Sequence, residues 1–152
     1  MSVHVLKQVQ QLPLSPEEAW DFFSHPKNLA VITPPHLNLK FTNELHGEEI
    51  YPGQIITYKV RPLLGIPLFW MTEITHVERP RFFVDEQRQG PYAIWHHEHH
   101  FVERGGGVEM TDIIHYKLPF GPFGNIGHFL VKKELRNLFA FRRKKITELF
   151  GT

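Results

Sequence analysis

The residues best suited to chemistry lie between positions 85 and 112. His97-x-His99 sits at the centre, with Asp85-x-Gln87 before it and Asp112 after it. Histidine beside aspartate can orient a polar ligand or move a proton, the carboxylate holding the imidazole tautomer. On an extended strand His97 and His99 project from one face, roughly 7 Å apart at Cα. Zinc sites use such pairs, but His96 and His100 fall on the opposite face, so a third ligand would have to be Asp112. A hydrogen bond between His99 and Asp112 accounts for that aspartate equally well, and neither a metal nor a cofactor is expected. No nucleophile stands beside a base, so catalytic roles, if any, fall to His97, His99 and Asp112. The alternative is a buried, mutually satisfied network that fixes the surrounding strands.

A β-hairpin must position these groups. Residues 93–103 alternate, Arg104-Gly105-Gly106-Gly107 makes a turn, and 108–118 alternate again. Placing Glu103 opposite Val108 pairs Trp95 with Tyr116, His97 with Ile114, His99 with Asp112 and Phe101 with Met110. That register gathers the large aromatic and apolar side chains on one face, and a one-residue slip would mix the faces. The aromatic face then also carries two histidines and an aspartate, which need partners or a purpose.

The rest of the chain supplies a sheet and helices. Val3–Leu12 reads as a strand. Ser15-Pro16-Glu17-Glu18 opens a short helix, with Ser15 as N-cap and Glu18 closing a capping box. A second short helix covers Lys27–Ile32, stopped by Pro34-Pro35. Strands follow at Leu37–Thr42, Gln54–Arg61, Leu68–Val77 and Arg81–Arg88, before the hairpin. Asn125–Phe150 is one long amphipathic helix whose stripe runs through Val131, Leu135, Leu138, Ile146 and Leu149, widened by Phe139 and Phe150. Consecutive strands with short links form an antiparallel meander, and one long helix has its natural place across the concave face.

Composition narrows the function. With 152 residues, 41% hydrophobic residues and thirteen phenylalanines, the sequence describes one globular domain spanning 1–152 with a substantial core. A net charge of +1 gives no general field for nucleic-acid binding. The absence of cysteine excludes disulfides and thiol chemistry. No signal pattern or membrane-length apolar run is seen, and the expected location is the cytoplasm.

Several stretches resemble the SRPBCC superfamily, the START or Bet v 1-like helix-grip proteins. They are Ser15-Pro16-Glu17-Glu18-Ala19-Trp20-Asp21-Phe22-Phe23, Pro26-Lys27-Asn28-Leu29, Phe83-Val84-Asp85-Glu86-Gln87, Trp95-x-His97-x-His99-x-Phe101 and Leu118-Pro119-x-Gly121-Pro122. As a set they look like the bacterial polyketide cyclase/dehydrase-like, coenzyme Q-binding and CoxG-like subgroup. The resemblance implies an α+β helix-grip fold: a curved antiparallel seven-stranded sheet, two short helices and one long C-terminal helix. It also implies an apolar pocket, but no particular reaction. The residues expected to face a ligand are Tyr58, Asp85, Gln87, Trp95, His97, His99, Phe101, Asp112 and Tyr116 from the sheet, with Leu135, Leu138 and Phe139 from the helix.

The expected partner is a hydrophobic or amphipathic small molecule (a lipid, quinone or polyketide-like compound) held by a carrier, sensor or chaperone. One rival is a small cyclase or dehydratase using His97 or His99 with Asp112; another is an interaction module whose cavity is filled by its own side chains. A portal is expected at Leu63, Leu64, Ile66, Phe69, Phe120 and Phe123. Arg61 and the Arg142–Lys145 run could draw this end transiently to an anionic membrane surface. The protein would be a monomer or homodimer.

Overall fold

The computed structural model describes residues 3–61, 65–119 and 124–152. Among these, seven strands form one antiparallel sheet: β1 (His4–Leu12), β2 (Lys40–Phe41), β3 (Ile55–Val60), β4 (Leu68–Glu78), β5 (Phe82–Gln89), β6 (Ile94–Arg104) and β7 (Gly107–Lys117). Their order across the sheet is β1-β7-β6-β5-β4-β3-β2, a meander closed by the return of β1 beside β7. The helices are α1 (Pro16–Phe23), α2 (Asn28–Val31) and α3 (Gly124–Phe150), with a 3-10 turn at Pro35–Leu37. This is the expected α+β helix-grip arrangement. No helix among the described residues is long and apolar enough to cross a membrane.

Local chemistry explains the main elements. The β6–β7 hairpin has the expected register throughout, from Trp95 opposite Tyr116 to Glu103 opposite Val108. Its turn is the expected one. Arg104 pairs with Gly107, and only Gly105 and Gly106 span the reversal, both at positive φ (60° and 80°). Two successive left-handed residues match the right-handed twist of the strands, and glycine adopts them without a Cβ clash. Gly107 is needed for a different reason: a Cβ there would lie 2.3 Å from the Leu12 carbonyl oxygen of β1. The capping box of α1 forms as expected, Ser15 Oγ accepting from the Glu18 amide at 3.1 Å and Glu18 Oε1 from the Ser15 amide at 3.2 Å.

Three expectations need correction. The strand placed at Leu37–Thr42 shrinks to Lys40–Phe41, because Pro35 starts a 3-10 turn and Asn38 leaves it in a left-handed conformation (φ 49°). On α3, Leu149 is exposed and Arg142 is buried in its place; the inward stripe is Leu135, Phe139, Arg142 and Ile146. Phe69, assigned to the portal, lies on β4 between Leu68 and Trp70, which border the cavity, and points to the opposite face of the sheet.

The C-terminal half of α3 is fastened to the sheet. Gln10 Nε2 donates to the Arg143 carbonyl and to Thr147 Oγ1 at 3.1 and 3.2 Å, and the Arg143 guanidinium donates to the Val9 carbonyl. Ile146 is fully buried, and Phe150 meets Phe22 of α1 edge to face. Near its start, His128 stacks on His4 of β1 at 3.7 Å, and between these two attachments α3 leaves space above the sheet, bordered by Val131, Leu135 and Leu138.

Candidate functional site

That space is a cavity of about 430 Å³ between the concave face of the sheet, the α2 segment and α3. Its walls are mostly apolar: Ile56, Tyr58, Val60, Trp70 and Ile74 from β3 and β4, Leu29 and Ile32 from α2 and the residue after it, and Val131, Leu135, Leu138 and Phe139 from α3. The volume lies within the range of small-molecule sites, and far exceeds the space of a single water.

Polar groups converge on one wall. Asp85 of β5, His97 and His99 of β6, Asp112 of β7 and Arg142 of α3 all border the cavity. The first four form a closed ring. His97 Nε2 donates to Asp112 Oδ1 at 2.8 Å, and His99 Nε2 donates to Asp85 Oδ2 at 2.6 Å. The remaining nitrogens face the same carboxylates: His99 Nδ1 is 3.4 Å from Asp112 Oδ1, and His97 Nδ1 is 3.9 Å from Asp85 Oδ2. The two imidazoles stack at 3.7 Å, and Phe83 stacks on the far side of His99 at 4.0 Å.

Charge follows from this geometry. Burial opposes an imidazolium at His99, but the two adjacent carboxylates, Asp112 and Asp85, outweigh it and raise His99 to about 8. Burial and the charge on His99 push His97 down, against the pull of Asp112, so His97 is the neutral member. Burial would raise both carboxyls, yet the hydrogen bonds from the histidines hold Asp112 and Asp85 below the usual carboxylate range. Two carboxylates therefore face one imidazolium and the Arg142 guanidinium, and the wall is neutral overall.

Asp85, His97 and His99 also offer ligand atoms within 4.8 Å of one another, a grouping a metal could use. The rings oppose it as they stand. A zinc–nitrogen bond lies in the imidazole plane at about 2.0–2.1 Å. Two planes tilted by only 22° and stacked at 3.7 Å share no such point.

The structure sorts the remaining expected residues. Tyr58, Trp95, Leu135, Leu138 and Phe139 border the cavity with the polar wall. Gln87 has the inward parity but is spent on the following turn: its Nε2 donates to the Tyr92 carbonyl at 2.7 Å, and its Oε1 accepts from the Tyr92 amide at 3.0 Å. Phe101 is buried against Trp20, Phe23 and Phe83, where it pins α1 to the sheet. Tyr116 is buried, its hydroxyl spent on α3 at 3.1 Å from His128 Nε2. Ile66 is exposed, while Leu63, Leu64, Phe120 and Phe123 lie outside the described residues. The basic run at 142–145 is divided, because Arg142 turns into the cavity and Arg143 is tied to β1. Sequence reasoning missed Arg142 for this role, although its spacing from Leu135, Phe139 and Ile146 places it on their face.

No family model and no curated protein matches the sequence. Solved structures do match across nearly the whole chain. Protein Ms6760 from Mycobacterium smegmatis is 17% identical, with 98% of this chain and 96% of that one covered and a TM-score of 0.69. Protein CV1439 from Chromobacterium violaceum is 10% identical, with 97% of each chain covered and a TM-score of 0.71. Ara h 8.0201 is 12% identical, with 97% of this chain and 99% of that one covered and a TM-score of 0.65. Identities this low speak to architecture alone. With seven antiparallel strands gripping one long C-terminal helix, the chain has the Bet v 1-like helix-grip fold.

Proposed function

We propose that the protein binds one hydrophobic or amphipathic small molecule between the sheet and α3, as a carrier, sensor or chaperone. The observation that carries this reading is the cavity of about 430 Å³, lined mostly by apolar side chains, with Asp85, His97, His99, Asp112 and Arg142 grouped at one wall. Apolar walls would contribute roughly 25 cal/mol for each Å² of ligand surface removed from water. The polar wall would fix the ligand's orientation. The protein would work as a single domain in the cytoplasm. The ring geometry narrows the cyclase or dehydratase reading, since three of the four imidazole nitrogens face carboxylates as donors and only the unprotonated His97 Nδ1, 3.9 Å from Asp85 Oδ2, is left to take a proton.

The test is a fluorescence titration with the neutral probe N-phenyl-1-naphthylamine. The reading expects saturable binding of one molecule per chain, weakened at least about tenfold by Leu135→Trp, which fills the cavity from α3. Binding that Leu135→Trp leaves unchanged would place the probe elsewhere and remove the support for this site.

A further inference from the structure

We propose that Arg142 is the seat for an anionic oxygen, so that the ligand of this cavity is an amphipathic acid with a carboxylate rather than a neutral lipid. This rests on the reading of the cavity as a ligand site and goes further by naming the ligand's chemistry.

The case begins with where Arg142 lies. It is 9% exposed and borders the cavity, one turn beyond Phe139 on the inward stripe of α3. Its guanidinium carbon sits 5.1 Å over the Phe139 ring, which holds the plane in place. A guanidinium brings five donors and no acceptor. Among the described residues only Nε has a partner, the Ile32 carbonyl at a long 3.5 Å. Neither terminal nitrogen makes a hydrogen bond or an ion pair among these residues. A cation that lines the cavity with these donors unpaired among the described residues offers them to whatever enters it.

The neighbouring carboxylates do not meet them. Burial works against the charge on Arg142, and Asp112 and Asp85, the carboxylates that favour it, are both already held by the histidines. They balance its charge at a distance and leave its donors free. The free edge of a guanidinium presents two parallel N–H groups, and a carboxylate is the group that accepts both at once. Trp70, Trp95 and Leu135 supply the apolar surroundings for the rest of such a molecule. A neutral hydrocarbon or sterol-like ligand would fill the same space and leave the donors unmet.

The test compares dodecanoate with dodecanol, matched in chain and different in head group, by isothermal titration calorimetry on the intact protein. The wild type is expected to bind dodecanoate at least about tenfold more tightly, and Arg142→Gln to remove that preference while dodecanol affinity stays within about threefold. Arg142→Lys, which keeps the charge but loses the paired donors, should fall between them. The wild-type comparison needs no variant: equal affinities, or a preference for dodecanol, would overturn the assignment and leave the cavity reading standing. Retained acid preference in Arg142→Gln would also overturn it. Binding of neither probe to the wild type would overturn the cavity reading and the Arg142 assignment together.

Discussion

Replacing Asp112 by asparagine keeps the side-chain shape and removes one charge from the centre of the polar ring. Asp112 accepts from His97 Nε2 at 2.8 Å and faces His99 Nδ1 at 3.4 Å, in a site where its side chain is 9% exposed. Charge-assisted hydrogen bonds contribute about 1.5–3 kcal/mol each. Desolvating the carboxylate offsets part of that gain, but breaking one member of a buried pair leaves the other charge uncompensated. Here the uncompensated groups would be the His99 imidazolium and Arg142. The expected loss is about 2–4 kcal/mol near neutral pH. Urea unfolding followed by tryptophan fluorescence measures it, with His99→Gln and the double variant completing a cycle. The coupling between the two positions should be about 1–3 kcal/mol. Because the folded-state carboxyl titrates below its ordinary value of 3.8, its contribution is present above that pH and disappears as the solution is acidified through the folded value. The gap between wild type and Asp112→Asn should therefore close in acid. A neutral or stabilising Asp112→Asn would refute the reasoning, showing that the ring does not hold β5, β6 and β7 together and is retained at a cost in stability.

His99 titrates in the opposite sense. Its folded value is raised from 6.5 to about 8, so its contribution is complete below 6.5 and is lost as pH rises through about 8. The shift corresponds to about 2 kcal/mol. Comparing the stability of wild type and His99→Gln at about pH 6 and about pH 9 should show a gap that narrows at the higher pH; a gap independent of pH would show that His99 is not the imidazolium. Ile146→Ala empties a fully buried position where α3 meets the sheet and should cost about 2–5 kcal/mol in thermal or urea unfolding. A cost below about 1 kcal/mol would mean that α3 is not anchored there.

The sequence made the hairpin legible because three signals agree: alternation on both sides, consecutive glycines between them, and a register that separates apolar from ionisable faces. The α1 cap was legible because Ser15 and Glu18 interact over three residues. The opposition of His99 and Asp112 followed from the same register, but the short hydrogen bonds run diagonally, from His97 to Asp112 and from His99 to Asp85. Cross-strand partners outside the hairpin were harder. The register of β4 against β5 shifts at Met71/Thr72 and at Ile74/His76, so counting alternation does not carry side-chain roles across those points. Gln87 shows the consequence, since its inward parity is overridden by a local turn that its amide closes. Arg142 was hidden by composition. Four consecutive basic residues read as one solvated face, whereas the helical period separates the first from the rest. The volume of the cavity had no sequence signal, because it depends on how α3 is placed over the sheet.

The most direct test of the central claim is native mass spectrometry of the protein after incubation with an organic extract of cells, beside Leu135→Trp treated in the same way. A small-molecule site between sheet and helix predicts one retained organic molecule per chain, lost in the variant, and an acid if Arg142 seats it. A bare chain in the wild type, or the same molecules retained by the filled-cavity variant, would contradict the account.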